Sequence, residues 1–327
     1  MIEYLIIIIT IISMHVYFAI ALGIISSLCS NFGSNLQKYG FKNNYYINYW
    51  QNKYWLYGLG LNIIGTICDF IALGYAAQSI IVCLSGFGLV SNLFFNKYWL
   101  KEDIKFVDVC GVLLISLGSI ISVSYGNHNS NHYNESIIIN YYTKPSFIFY
   151  YTLTLFVVGL IAYKINLNNQ FNLSIHNYMI SKIYQSLYLC ICSGILGGFS
   201  ILHGKILLEL VLYHKKVILS GFFIFIFIQF MFYLITQQHY LAHALKDYDA
   251  KYVIPVFNCF FILNSVIAGA IYFEELNDFT FIQSILFIFG LITILTGVKL
   301  LSANNFINEE NHRYSLLLDS TYENNLI

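Results

Sequence analysis

Charged residues are scarce in this sequence of 327 residues: Lys, Arg, Asp and Glu together make up 10% of it. A soluble domain carries roughly 25% charge, so the composition argues against one. The 16 basic and 16 acidic residues balance, and no basic tract interrupts the chain. We therefore predict no nucleic-acid partner.

Motifs that hold metals or build catalytic centres are also missing. The chain has seven cysteines but no CxxC pair, because Cys190 and Cys192 are separated by one residue. His239 and His243 stand four residues apart but lack the glutamate of an HExxH zinc motif. Since no nucleophile–base constellation is recognisable, we predict that the protein is not an enzyme and uses no cofactor.

The sequence is instead rich in long apolar runs, and 58% of its residues are hydrophobic. A helix needs about 20 mostly apolar residues to cross a bilayer. The pattern predicts an all-α, polytopic membrane protein with about nine transmembrane helices, at residues 15–37, 54–76, 79–97, 106–124, 146–163, 183–209, 217–236, 251–272 and 280–301. Residues 4–14 are expected to extend the first helix, 164–181 to form a polar loop and 302–327 a polar tail.

Basic residues predict the orientation of these spans. Twelve Lys and Arg residues follow the C-terminal ends of the odd-numbered spans and so lie on one side of the membrane. Lys144, Lys215 and Lys216 follow even-numbered spans and lie on the other side. Cytosolic loops are enriched in Lys and Arg. The N-terminus is therefore expected outside the cytosol and the C-terminus in the cytosol, in either the plasma membrane or an endomembrane.

The chain also contains an internal duplication. Two apolar stretches, 84–124 and 256–298, share a similar pattern. When the sequence is aligned with itself at a shift of 172 residues, Glu102 pairs with Glu274, Asn92 with Asn264 and Gly118 with Gly290. The copies begin five crossings apart, an odd number, so they are inverted in the bilayer. We expect one transmembrane domain, 1–301, with two inverted four-helix repeats at about 15–124 and 183–301. The helix at about 146–163 links them, an arrangement typical of secondary transporters.

Asp69 is the most informative polar residue within a predicted span. A carboxylate in the middle of a span costs at least about 2.5–3.5 kcal/mol, so it is expected to face the bundle interior and to bind a divalent cation there. The alternative is that Asp69 pairs with Lys205 or lies at a hydrated mouth. Lys205 and Glu209, four residues apart on one helix, are interpreted as a charge-balancing pair rather than as ligands.

Hydroxyl and amide side chains in the spans suit a hard cation that keeps part of its water shell. Interhelical hydrogen bonding is the alternative for each of them. The residues predicted to line an ion pathway with Asp69 are Ser27, Asn31, Asn62, Asn92, Gln237 and Asn264.

Several short stretches, in order and at matching spacing, resemble the NIPA-type magnesium transporters of the drug/metabolite transporter superfamily. They are Leu22-Gly23, Ser26-Ser27, Gly33-Ser34 and Gln37-Lys38-Tyr39-Gly40 in the first span, Trp55 to Phe70 in the second, Ile191-Cys192-Ser193, Phe199-Ser200 and Lys205 in the sixth, Thr236 to Leu241 with Ala244-Leu245 as a turn after the seventh, and Pro255 with Phe273-Glu274 for the eighth.

This resemblance implies a drug/metabolite transporter-like fold and a transporter of Mg²⁺ or a related divalent cation. The sequence departs from the family at three positions. Thr66 stands where the family typically has Glu, Asp69 stands where it has Asn, and Cys83 stands where it usually has Pro. One carboxylate is therefore kept but displaced by about a helical turn.

The favoured function is facilitative Mg²⁺ transport by alternating access around a central polar site. A carrier of organic solutes on the same fold is one alternative, although Lys205 would be the only cation available to an anionic substrate. A non-transporting receptor or assembly factor is the other. The lipid bilayer is the expected partner, and the sequence leaves homo-oligomerisation open.

Overall fold

The computed structural model describes residues 2–43, 49–125, 135–170, 175–213, 220–274, 279–297 and 299–300. The described residues are almost entirely helical and contain no strand. The helices are α1 Ile2–Asn43, α2 Lys53–Ala72, α3 Gln78–Cys83, α4 Gly88–Tyr98, α5 Phe106–Tyr125, α6 Glu135–Tyr142, α7 Pro145–Gln170, α8 Ile175–Tyr213, α9 Gly221–Asp247, α10 Ala250–Tyr272 and α11 Phe281–Gly297. Two 3₁₀ turns, Tyr49–Gln51 and Leu84–Phe87, complete the described secondary structure.

Seven of these segments are long and apolar enough to cross a membrane, when α3, the 3₁₀ turn and α4 are taken together as one segment. Phe106–Ser122 and Phe281–Gly297 are shorter apolar helices. Each of the nine predicted spans therefore corresponds to an apolar helical segment. The prediction of an all-α, polytopic membrane protein is confirmed.

Several predicted boundaries were wrong because helices continue beyond the apolar runs. The expected polar loop 164–181 is mostly helical, since α7 ends at Gln170 and α8 begins at Ile175. That stretch contains neither Gly nor Pro to end a helix. The residues from Thr236 to Leu241, expected in a turn, lie inside α9, and α6 was not predicted. The predicted tail, 302–327, lies outside the described residues.

The third span is interrupted at its centre. Leu84–Phe87 forms a 3₁₀ turn between α3 and α4, in the sequence Leu-Ser-Gly-Phe-Gly. Glycine is a poor helix former. A Cβ atom on Gly88 would lie only 2.7 Å from the backbone oxygen of Ser27, so the glycine is required for the close approach of α1. Discontinuous membrane helices are characteristic of transporter binding sites.

The first two helices of each half pack closely, with an amide lying over a glycine. The Asn62 side chain of α2 occupies the space beside Gly33 of α1. In the same way, the Gln237 side chain of α9 lies 2.7 Å from where a Cβ of Gly197 in α8 would be. Small residues let membrane helices approach each other. The two helix pairs therefore present amide side chains at equivalent places.

Helices α5 and α11 pack against each other through two glycines. A Cβ on Gly118 would lie 2.6 Å from the backbone oxygen of Gly290, and a Cβ on Gly290 would lie 2.8 Å from that of Gly118. Both clashes are with backbone, which cannot rotate away. This contact therefore fixes the distance between the two helices.

Replacement of Gly118 by alanine should destabilise the folded protein by about 1–3 kcal/mol, because the added methyl group overpacks this contact. The matched control is Gly159→Ala in α7, where a Cβ would meet nothing within 4 Å. The control should be neutral or slightly stabilising, since alanine is the better helix former. Thermal unfolding of the detergent-purified variants measures both effects, and equal midpoints would contradict the packing argument.

Candidate functional site

Polar side chains lie along one face of α1. Ser26, Ser27, Ser30, Asn31 and Ser34 are spaced so that they share this face of a 3.6-residue helix. Four of the five are buried, at most 6% exposed, and Ser30 is half-buried. Because hydroxyl and amide groups are costly to expose to lipid, this face turns towards the other helices.

The polar face of α1 borders a cavity of about 70 Å³ between the two halves of the chain. One water molecule needs roughly 10–15 Å³ of such cavity space, so this cavity has room for several water molecules. Helices α1, α2 and α3 line one side, and α8, α9 and α10 line the other. The polar lining consists of Ser26, Ser27, Ser30, Asn31, Ser34, Asn62, Thr66, Asp69, Ser85, Ser200, Gln237, Gln238 and Asn258.

Asp69 is the one charged residue in this lining. It lies three residues before the end of α2, not in the middle of the span as predicted, because α2 ends at Ala72. Its carboxylate is hydrogen-bonded by the Ser26 side chain of α1. An ionised Asp69 gives the cavity a negative charge close to one of its ends.

Two amide oxygens at the cavity have no hydrogen-bond partner among the described residues. They are Oδ1 of Asn62 and Oε1 of Gln238, and both are buried. A buried polar atom without a partner is costly, so a small side-chain movement that brings such an oxygen to water or a cation in the cavity is favoured. Amide oxygens and a carboxylate are the ligand types that Mg²⁺ and Ca²⁺ prefer.

Ser27 connects α1 to the break in the third span. Its hydroxyl donates a hydrogen bond to the backbone oxygen of Ser85, at 2.9 Å, and accepts one from the N–H of Gly88, at 3.0 Å. The N–H of Gly88, the first residue of α4, also bonds the backbone oxygens of Ser85 and Gly86 in the 3₁₀ turn, so Ser27 adds a side-chain acceptor there. Ser27 therefore holds the interrupted helix against the cavity wall.

The structure brings together five of the seven residues predicted to form the pathway: Asp69, Ser27, Asn31, Asn62 and Gln237. Asn92 and Asn264 do not line the cavity. Asn92 accepts a hydrogen bond from Asn35 at 2.7 Å.

Asn264 accepts a hydrogen bond from the hydroxyl of Tyr150 at 2.5 Å and donates one to the backbone oxygen of Ile195 at 2.8 Å. These contacts join α10 to α7 and α8. Lys205 and Glu209 are buried but lie away from the cavity, with the Lys205 Nζ atom 4.4 Å from the centre of the Phe273 ring.

Sequence reasoning missed Ser85, Ser200 and Gln238 as lining residues. Gln238 adjoins the predicted Gln237, and Ser200 belongs to a stretch that was noted only for its resemblance. A single polar residue in an apolar run does not reveal which way it faces. Within the described ranges, no three His, Cys, Asp or Glu side chains converge as a metal cluster.

The cavity borders an apolar groove of about 600 Å³ between α2 and α9. Asn62, Thr66 and Gln238 line both spaces. Ile67 and Ile235, which also line the groove, are 54% and 64% exposed, so the groove faces the lipid. The wall between lipid and cavity is therefore about one side chain thick here.

Comparison with known proteins places a family match over nearly the whole described region. The family described as Magnesium transporter NIPA matches residues 13–307. A protein of Arabidopsis thaliana named "Probable magnesium transporter NIPA8" is 25% identical over 320 residues, covering 91% of this chain and 72% of its own.

Two further relatives extend this similarity to animals and fungi. The human NIPA-like protein 2 is 21% identical over 92% of this chain and 76% of its own length. A protein of Candida albicans named "Probable magnesium transporter" is 25% identical over 78% of this chain and 67% of its own. No solved structure matches the chain.

Replacement of Ser27 by alanine should lower stability by about 0.5–1.5 kcal/mol, because it removes the hydroxyl that bonds both the Ser85 backbone oxygen and the N–H of Gly88. The control is Ser34→Ala on the same face of α1. The Ser34 hydroxyl donates only to the Ser30 backbone oxygen within its own helix, so its loss should have little effect. Thermal unfolding in detergent compares the two, and a Ser27 variant as stable as the control would show that this bond is dispensable.

Proposed function

The chain belongs to the NIPA family of magnesium transporters, and on that premise we propose that it carries Mg²⁺ across its membrane down the electrochemical gradient. The central cavity is the proposed binding site. It opens alternately to the two sides of the bilayer.

The cavity lining is the observation that carries this proposal. It combines one carboxylate, Asp69, with the unpartnered amide oxygens of Asn62 and Gln238 and with several hydroxyl groups. Mg²⁺ is reluctant to lose its water and is usually bound through one or two carboxylates with waters retained. The space for several water molecules suits a cation that is only partly dehydrated.

The membrane potential supplies enough free energy for facilitative entry. A charge of two moving across 100 mV, negative inside, releases about 4.6 kcal/mol, twice the single-charge value. Inward transport of a divalent cation therefore requires no nucleotide. This is the physical basis for proposing a facilitative rather than a pumped mechanism.

Alternating access fits the two inverted repeats that we propose, at about 15–124 and 183–301. The pairs Gly33–Asn62 and Gly197–Gln237 are contacts of one kind, an amide oxygen beside a glycine, although the shift of 172 does not align them residue by residue. Gly118 and Gly290, which correspond at the shift of 172, touch each other. Residues related by a two-fold axis touch only where they lie beside the axis, so this contact favours a two-fold relation between the halves.

The proposed orientation has the N-terminus outside the cytosol. Lys38 and Lys42 near the end of α1, with Lys101 and Lys251, then lie on the cytosolic side. Asp69, near the opposite end of α2, lies towards the outside, where it would meet an entering cation. The asymmetry of Lys and Arg supports this arrangement.

Mg²⁺ uptake into proteoliposomes tests the site. Replacement of Asp69 by asparagine keeps the shape of the side chain but removes its charge. The initial flux should fall about tenfold or more, because each 1.4 kcal/mol of stabilisation that the passing cation loses lowers the rate tenfold. The matched control is Asp108→Asn at the start of α5. There the carboxylate accepts a hydrogen bond from the N–H of Lys105, and the amide oxygen of asparagine can accept the same bond.

Equal flux for the wild type and Asp69→Asn would remove the proposed site. The double variant Thr66→Glu/Asp69→Asn moves the carboxylate back by about one turn on the same face of α2. This is the position at which the NIPA family typically has Glu. It should recover flux relative to Asp69→Asn. A panel of divalent cations and organic solutes as competitors distinguishes the cation transporter from a solute carrier.

A further inference from the structure

Five asparagines form a buried column that leads away from the cavity. They lie on three helices of both halves: Asn31 and Asn35 on α1, Asn92 and Asn96 on α4, and Asn258 on α10. None is more than 6% exposed. Asn31 and Asn258 line the cavity, so the column begins there.

Hydrogen bonds link the first four members of the column. The Nδ2 of Asn258 donates to Oδ1 of Asn31 at 3.4 Å, which joins α10 to α1 at the cavity. One turn further along α1, the Nδ2 of Asn35 donates to the Asn31 backbone oxygen at 2.9 Å and to Oδ1 of Asn92 at 2.7 Å. The column therefore passes from α10 through α1 to α4.

Asn96 completes the column at its far end. With its amide oriented to match donors with acceptors, Nδ2 donates to Oδ1 of Asn35 at 2.6 Å, and Oδ1 accepts from the N–H of Lys251 at 3.1 Å. Lys251 is in the first turn of α10. From Gly88, which bonds the cavity-lining Ser27, to Asn96 is eight residues of α4, or about 12 Å along the helix axis.

The column ends at a contact between the two halves. The Glu102 carboxylate accepts hydrogen bonds from the N–H groups of Ala250 and Lys251, each at 3.0 Å. The Nζ of Lys251 donates in turn to the backbone oxygen of Asp103 at 2.7 Å. The turn between α4 and α5 thus closes over the N-terminus of α10.

The chemistry of the column suits passage of a cation better than simple helix packing. Nδ2 of Asn92 is buried with no partner among the described residues, so it is a donor that a water molecule entering the column would satisfy. Amide oxygens bind a hard cation, and neutral groups hold it more weakly than carboxylates do. A pathway must bind an ion well enough for entry and weakly enough for release.

We propose that the column formed by Asn31, Asn35, Asn92, Asn96 and Asn258 is the closed half of the cation pathway, with Glu102 as the contact that closes its end. When this contact opens, water enters between α1, α4 and α10, and the amide oxygens ligate the divalent cation as it leaves the cavity. This inference rests on the proposed function, because it assigns the route by which the same ion departs.

Two replacements of Asn92 distinguish a pathway from a structural hydrogen bond. Leucine fills the volume of the amide with an apolar group, whereas serine is smaller and leaves a polar gap. If Asn92 only supports packing, leucine should be tolerated better than serine. If the ion passes here, Asn92→Leu should lower Mg²⁺ flux into proteoliposomes about tenfold or more, while Asn92→Ser stays close to the wild type.

The control is Gln229→Leu, which removes a half-buried amide that binds the hydroxyl groups of Tyr142 and Tyr151, away from the column. Its flux should remain near the wild-type value. Stabilisation of the detergent-purified protein by Mg²⁺ should be unchanged in both Asn92 variants, since the cavity is intact. Lower flux for serine than for leucine would overturn the proposal.

Thiol labelling tests the column without depending on flux. Asn96→Cys should react with a small, water-soluble, cationic thiol reagent in membranes, because the open column admits water. The native Cys192, equally buried between α7 and α8, is an internal control that should remain unmodified. Peptide mass spectrometry reports both sites.

The two experiments separate the failure of each idea. If the wild type transports no divalent cation but the thiol at position 96 is labelled, the proposed function fails and the hydrated column stands. If flux is present but both thiols stay unmodified, the cation takes another route and the column is structural.

Discussion

A single constraint governs this structure: inside a bilayer, a polar group has no water to bind and must find its partner within the protein. Helices satisfy the backbone, so the side chains of serine and asparagine become the groups that decide how the helices are rotated. The polar face of α1 turns inward for this reason, and Ser27 then bonds the backbone of the interrupted third span on both sides of its break, at Ser85 and Gly88. Some of these groups, such as Oδ1 of Asn62, have no hydrogen-bond partner in the part of the chain that the structure describes.

Composition and length were enough to predict the class of the protein, since each apolar run had to become a helix. The same reasoning identified Asp69, Asn31 and Asn62, because a polar residue in lipid must face the interior. It did not separate them from Asn92 and Asn264, which face other helices. Which neighbour an inward-facing residue meets depends on helix rotation and crossing, and these are set by packing across the whole bundle.

Helix ends were the other weakness of sequence reasoning. Hydropathy marks the part of a helix that lies in lipid, but a helix continues until a residue stops it or capping groups end it. Thus α8 begins at Ile175 and α9 runs on to Asp247, both beyond their apolar runs. Such extensions place Gln237 and Gln238 well inside a helix, where they can face the cavity together.

Glu102 and Glu274, which align at the shift of 172 residues, make different contacts in this structure. Glu102 binds the N-terminus of α10, whereas Glu274 pairs with Lys144. Burial raises the pKa of the Glu102 carboxyl, the nearby Asp249 adds to the rise, and the two N–H groups of α10 act in the opposite direction. The ionised carboxylate is therefore held at this contact at a cost in free energy.

The thin wall between the cavity and the groove of α2 and α9 has a pharmacological consequence. A hydrophobic compound dissolved in the membrane reaches the far side of Asn62 and Gln238 without entering water. There it would press on the residues that line the cavity while leaving the aqueous entrance free. Inhibition by such a compound would not be relieved by raising the concentration of the transported ion, because the two never compete for the same space.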